Sequence, residues 1–341
     1  MPDLKCLILS DFFRGSYKVI GELYHQMLSQ IQEVEHHPTP RSSEERKELS
    51  SRFSGSIVFH NTLGEGFVPI TDCYNIAMPF HEWSEYPTSW IGLLNNFAEV
   101  WTTTDHVQNL LLRGGLSVPT HRLPPALDSE NISVKASYET IGSPSFFFVG
   151  EPHFRKGHHL LMNGYMKAFP IANDATLTIK TSPSCEWESP REDIILVKEH
   201  WDRNRLVEEY SKHDCFVSAS LGEGLGLPIA EAIMAQLPVC TNYWGGHQSL
   251  LSKESFIEIT HREILQPFTS DPKFYAEGQK CAYSSPDAIR MALLKFLTLN
   301  SEQKQNMTSS AKENFLKIYG SEFANTNIQN RLAEIHKNFK N

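Results

Sequence analysis

Glu223 and Glu231 stand eight positions apart and bracket the run Gly224-Leu225-Gly226-Leu227-Pro228. A short apolar stretch, Phe216 to Ser218, feeds this run as a strand would. Pro228 stands where a helix begins, a position at which proline's fixed φ and missing N–H are tolerated. The start of a helix exposes unpaired N–H groups and a partial positive charge, which suit a phosphate. Glycines at 224 and 226 let the backbone come close to a ligand. Carboxylates on either side of such an anion site accept hydrogen bonds from hydroxyls. The fitting ligand carries hydroxyls at both ends of a diphosphate, and a nucleotide sugar is one. Read alone, Gly-Leu-Gly-Leu-Pro is also a tight strand-to-helix turn with two solvated glutamates; the whole run of residues 220–246 favours the site.

A second loop carries cations. After the apolar run FFFVG (146–150) comes Glu151-Pro152-His153-Phe154-Arg155-Lys156-Gly157, opening the next helix. Breaking a glycosidic C–O bond develops negative charge on the departing phosphate, and fixed donors aimed there lower the barrier. Lysine and helix amides can do this without a metal. The sequence contains no D-x-D element, so metal independence is expected, with no cofactor beyond a co-substrate.

Glu223-x7-Glu231, the intervening Gly-Leu-Gly-Leu-Pro, Pro238-Val239 and Tyr243-Trp244-Gly245-Gly246 together resemble the signature of GT4-type retaining glycosyltransferases (glycosyl transferases group 1), which have the GT-B fold. The resemblance implies that Glu223 touches the donor sugar and Glu231 the nucleotide ribose. It further implies that Gly224, Leu225, Gly226 and Leu227 line the site, with backbone amides on sugar and phosphate oxygens. Lys156 and Gly157 match the family's Lys-Gly, whose lysine sits on the donor diphosphate. The family's arginine position holds Glu151, which reverses the charge, and Arg155 is the candidate replacement. The family also carries a histidine near the donor sugar after an N-terminal strand, and His81 in MPFHEW matches that setting. His60 in IVFHN is its competitor, and a strand-end histidine is more often structural. Gly15 falls where the family's first loop meets donor phosphate or acceptor, although an ordinary strand-to-helix turn explains it equally well. The resemblance is clearest over 146–246 and extends over 73–127.

These residues need a scaffold. Strands at 146–150, 176–180, 194–198, 215–220 and 238–242 alternate with helices at 157–169, 203–212 and 228–236, which indicates a parallel sheet covered on both faces. The N-terminal part reads likewise, with KCLILSD as a buried strand, then SIVFH, CYNIAMPFHEW, a strand around Val100 and a helix from Asp105 to Leu112. Residues 33–53 read as an exposed polar excursion. The fold expected is α/β GT-B: two Rossmann-like domains facing a central cleft, with C-terminal helices at 302–319 and 322–338. The boundaries are an acceptor-side domain 1–130, a linker 131–144, a nucleotide-sugar domain 145–320, and a helix 321–341 packing back on the first domain.

At 341 residues the chain exceeds what one core usually supports, so two domains are natural. A net charge of −9 without a basic stripe excludes a nucleic-acid binder and leaves only weak peripheral membrane contact open. The scattered cysteines (Cys6, Cys73, Cys185, Cys215, Cys240 and Cys281) show no C-x-x-C pair and read as reduced core thiols. With no leader segment, the cytoplasm is the expected compartment. His153, His158 and His159 fit no zinc spacing and read as a solvated helix start.

The activity expected from the resemblance is transfer of a sugar, with retention, from a UDP- or GDP-type donor to a hydroxyl on a glycan, lipid-linked or small-molecule acceptor. Two alternatives stand beside it. One is a non-catalytic nucleotide-sugar or glycan binder on the same scaffold, motivated by Glu151. The other is an epimerase acting on the nucleotide sugar itself. The missing G-x-G-x-x-G disfavours a dehydrogenase.

Overall fold

The computed structural model describes residues 5–10, 15–128, 132–266, 276 and 278–339. Residue 131, at the start of the expected linker, and residues 340–341 of the expected last helix lie outside the described residues. The chain divides into two compact units, one holding residues 1–129, 268–279 and 317–341, the other 130–267 and 280–316.

In the first unit the elements run β1 (Cys6–Ser10), α1 (Gly15–Leu28), β2 (Val34–Pro38), α2 (Ser43–Phe53), β3 (Ile57–Asn61), β4 (Tyr74–Ala77), α3 (Thr88–Leu94), β5 (Glu99–Thr102), α4 (Asp105–Arg113) and β6 (Thr120–Arg122). The six strands form one parallel sheet in the order β2-β1-β3-β4-β5-β6. β1 and β3 are buried along their whole length, as parallel strands covered on both faces must be. Residues 33–53 are not an excursion but β2 and α2. β2 is an edge strand whose VEHHP sequence is only half-buried, so it shows no apolar run. α2 buries only Phe53 and is started by a capping box between Ser42 and Glu45, so it lacks an apolar stripe.

The second unit runs β7 (Ser145–Val149), α5 (His158–Ala168), β8 (Thr176–Lys180), β9 (Ile194–Val197), α6 (Arg203–Tyr210), β10 (Cys215–Ser218), α7 (Leu227–Met234), β11 (Val239–Thr241), α8 (His247–Leu250), β12 (Ile257–Glu258), β13 (Arg262–Leu265), β14 (Lys280–Tyr283), α9 (Pro286–Thr298), then α10 (Ser301–Tyr319). Its main sheet is parallel, ordered β12-β11-β10-β7-β8-β9, and β13 and β14 form a separate antiparallel pair. Strand order reverses between β7 and β10. In open α/β sheets the crevice beyond the strand C-termini at such a switch point is where ligands bind. Residues 132–144 form no regular element and are pinned to this unit: Lys135 N donates to Ala235 O (2.9 Å) and Tyr138 Oη to Gln236 O (3.0 Å).

The last helix, α11 (Ser321–Phe339), belongs to the first unit. Its Arg331 reaches Glu99 on β5 with Nε at 3.1 Å, and Glu99, with no exposed surface, also accepts from Trp101 Nε1 (2.6 Å) and Tyr74 Oη (3.1 Å). All six cysteines are free thiols, and five are buried. Among the described residues no helix is long and apolar enough to cross a membrane.

Candidate functional site

The two loops that leave β7 and β10 at the switch point are stitched together through their backbones. After β7, residues Phe154–Lys156 make one tight 3-10 turn, and Gly157 follows with φ +67°. A Cβ at Gly157 would lie 2.0 Å from the carbonyl oxygen of Ala219, so only glycine allows this approach. Leu221 N donates to Arg155 O at 2.7 Å across the same seam.

This seam places both cations on one carboxylate. Arg155 Nη1 donates to Glu223 Oε2 (2.8 Å) and to Gly222 O (2.6 Å), and Lys156 Nζ donates to Glu223 Oε1 (2.7 Å). Ser220 Oγ lies 2.8 Å from that same Oε1. Glu223 is 9% exposed. Burial pushes its carboxyl pKa up, but Arg155 and Lys156 outweigh burial and hold it well below the usual carboxylate range. Arg155, the expected stand-in for the arginine displaced by Glu151, shares a carboxylate with Lys156. Glu151 itself is exposed on the loop, within electrostatic reach of Lys180 at the end of β8.

The Gly-Leu-Gly-Leu-Pro run leads into α7 through Gly226, at φ +95°, with Pro228 in the first turn. Leu225 is buried beneath the loop and Leu227 opens the helix. A backbone clamp holds the loop from behind, since Gly246 N donates to Glu223 O (2.7 Å) and a Cβ at Gly246 would meet Gly224 O at 2.5 Å. His247 follows, 1% exposed, with Nδ1 3.1 Å from Asn242 O. That carbonyl can only accept, so Nδ1 carries the ring proton. Burial depresses the His247 pKa while Glu223 raises it. His247 escaped the sequence reading, although it directly follows the glycine pair that the resemblance singled out.

Glu231 is also buried, at 6% exposure, one turn inside α7. It accepts from Arg203 Nη1 (2.5 Å) and Tyr210 Oη (2.5 Å), both on α6. Neither partner was legible beforehand, because both come from a preceding element, 28 and 21 residues away. The two glutamates are thus not solvated loop charges: each sits below the surface with its own cationic partner.

His158 and His159 differ from their expected solvated setting. His158 is buried and stacks on Trp187, and its pKa is pushed down to about 3, first by burial and then by His159. His159 stacks on Phe154. Among the described residues no cluster of three or more His, Cys, Asp or Glu is placed to hold a metal ion.

In the first unit, His81 follows β4, is 2% exposed and packs edge-on against Tyr86 with ring centroids 5.1 Å apart. His60 donates from Nε2 to Asn75 Oδ1 (2.9 Å), while the Asn75 amide nitrogen donates to Ile70 O (2.8 Å). His60 is thereby spent on joining β3 to β4, and burial pulls its pKa down to about 4. Gly15 is the first residue of α1, and a Cβ there would meet nothing within 4 Å.

Two parallel-sheet Rossmann-like units define a class of architecture, the GT-B fold, which the chain shares with solved glycosyltransferases. Within it, residues 143–265 match the family model Glycosyl transferases group 1, a segment that contains every residue of the Arg155–Lys156–Glu223 cluster and Glu231. The fold is similar to that of a glycosyltransferase from Rickettsia africae ESF-5 (13% identity, 99% of each chain covered, TM-score 0.69). It is also similar to Anabaena HepE in complex with UDP and glucose (13% identity, 97% of this chain and 100% of that one, TM-score 0.71). A third similar structure is a sucrose-phosphate synthase from Thermosynechococcus elongatus (11% identity, 98% and 99% covered, TM-score 0.71). No curated protein matches the chain by sequence.

Proposed function

We propose that the protein transfers a sugar, with retention of anomeric configuration and without a metal ion, from a UDP- or GDP-type nucleotide sugar to a hydroxyl on a glycan, lipid-linked or small-molecule acceptor, in the cytoplasm. The observation that carries this reading is the convergence of Arg155 and Lys156 on the buried Glu223 at the switch point of the sheet. In the reaction the acceptor oxygen bonds to the anomeric carbon, and the bond from that carbon to the diphosphate breaks. The bonding pair goes to the phosphate oxygen, which also takes the acceptor's proton as attack proceeds on the same face. Arg155, Lys156 and the amides opening α7 stabilise that charge. Glu223 holds sugar hydroxyls instead of attacking the sugar, and Glu231, with Arg203 beside it, serves the ribose. The resemblance gives His81 a role toward the sugar and Gly15 one toward phosphate or acceptor. The UDP and glucose bound to HepE support UDP and glucose as first probes.

The test is proton NMR of the transfer product formed in the presence of EDTA, read at the anomeric proton. The expected product keeps the donor's configuration and forms at an undiminished rate. An inverted product, or activity abolished by EDTA and restored by a divalent cation, overturns the proposal. Glu151 favours a second reading, a binder without turnover; the position of Arg155 beside Lys156 favours the enzyme.

A further inference from the structure

Resting on the reading that this loop is the donor site, we propose that Glu223 is the residue by which the protein distinguishes an intact nucleotide sugar from a bare nucleoside diphosphate. The site has two cations and one carboxylate, and they already satisfy one another. Arg155 and Lys156 hold the two oxygens of Glu223 at 2.8 and 2.7 Å, and all three side chains are largely shielded from water. A diphosphate competes for the same cations. Once it draws them away, the side-chain hydrogen bond left to Glu223 among the described residues is that of the Ser220 hydroxyl, one proton for a buried anion with the mainly neutral His247 nearby.

A buried carboxylate stripped of its partners is costly, and the binding equilibrium carries that cost. A nucleotide sugar removes it. As its diphosphate takes the cations, its sugar brings hydroxyls that donate to Glu223 in their place. A nucleoside diphosphate lacks those hydroxyls and bears the full penalty. The loop cannot relieve the strain by swinging aside, because the backbone of Glu223 is tied to Gly246 N at 2.7 Å and the side chain of Asn242 holds Ser220 O at 2.7 Å. Discrimination of this kind also helps the product leave, since the nucleotide remaining after sugar transfer is the poorly matched ligand.

The test is calorimetric titration of the full chain with UDP, UDP-glucose, GDP and GDP-mannose, repeated on Glu223→Gln and, as a second substitution, Glu223→Ala. The wild type is expected to bind the preferred sugar nucleotide at least about tenfold more tightly than its diphosphate. Both variants are expected to bind the bare diphosphate about tenfold more tightly than wild type does, and to lose the preference for the sugar nucleotide. A loosened loop would weaken every ligand, so tightening toward the diphosphate separates this role from a structural one. Diphosphate binding that is unchanged or weaker in both variants overturns the inference while leaving the donor site intact. Failure of the wild type to bind any of the four nucleotides overturns the donor-site reading and the inference together.

Discussion

At the residue scale, the second unit's site depends on a few contacts that tolerate almost no change. Gly157 is the sharpest case: a left-handed backbone and a carbonyl 2.0 Å from any added Cβ make even alanine a clash. Gly157→Ala should therefore cost more than about 2 kcal/mol, through both strain and displaced backbone. Urea unfolding should show it, along with weakened nucleotide binding as Arg155 and Lys156 shift. Arg203→Ala should raise KM for the nucleotide sugar roughly tenfold with little effect on kcat if Glu231 serves ribose binding common to ground and transition state; steady-state kinetics read this directly. The sequence showed the residues that belong to a local motif. Glu223, Lys156 and Gly157 lie in two contiguous runs with recognisable spacing. Arg203, Tyr210 and His247 did not show, because their importance comes from packing against those runs and not from any local pattern.

At the element scale, β3 and β4 are joined by the His60–Asn75 bond, and α11 is fastened to β5 by Arg331 and Glu99. Burial holds the His60 pKa at about 4, below the roughly 6.5 of an unfolded histidine, so the folded state refuses a proton that the unfolded state accepts. Above pH 6.5 this group adds no pH dependence. As pH falls from 6.5 through 4 stability is lost, roughly 2–3 kcal/mol by pH 4.5 from His60 alone. Urea midpoints at pH 7.5 and 4.5 measure that loss, and His60→Gln should shrink it. Removing one partner of a buried ion pair leaves the other uncompensated, so Arg331→Ala should destabilise the first unit by about 3 kcal/mol. Equilibrium unfolding followed by a probe in that unit checks this. Elements with an apolar run or stripe, such as β1, β7, β10 and α4, were legible. β2 and α2 were not, since an edge strand and a surface helix need little apolar content and draw their stability from pairing and a cap.

At the scale of the whole molecule, the alternation of strands and helices was enough to indicate two parallel-sheet units, and the strand order now places a switch point between β7 and β10 in the second. The fold is shared with proteins only 11–13% identical, so strand order and the β–α connections persist where most side chains do not. A ligand bound only by the native state stabilises it by about 2.7 kcal/mol at a hundred times Kd. Hydrogen exchange should then slow in residues 145–250 on adding the nucleotide sugar, with the largest change in the loops after β7 and β10.

The central claim, that the Arg155–Lys156–Glu223 cluster and Glu231 form a working donor site, is tested most directly by nucleotide release from UDP- and GDP-sugars by wild type, Lys156→Ala and Glu231→Ala. Wild type should release nucleotide; Lys156→Ala should be slower by about a hundredfold or more, and Glu231→Ala should be slower at donor concentrations below KM through weakened nucleotide binding. Full activity in both variants would contradict the account.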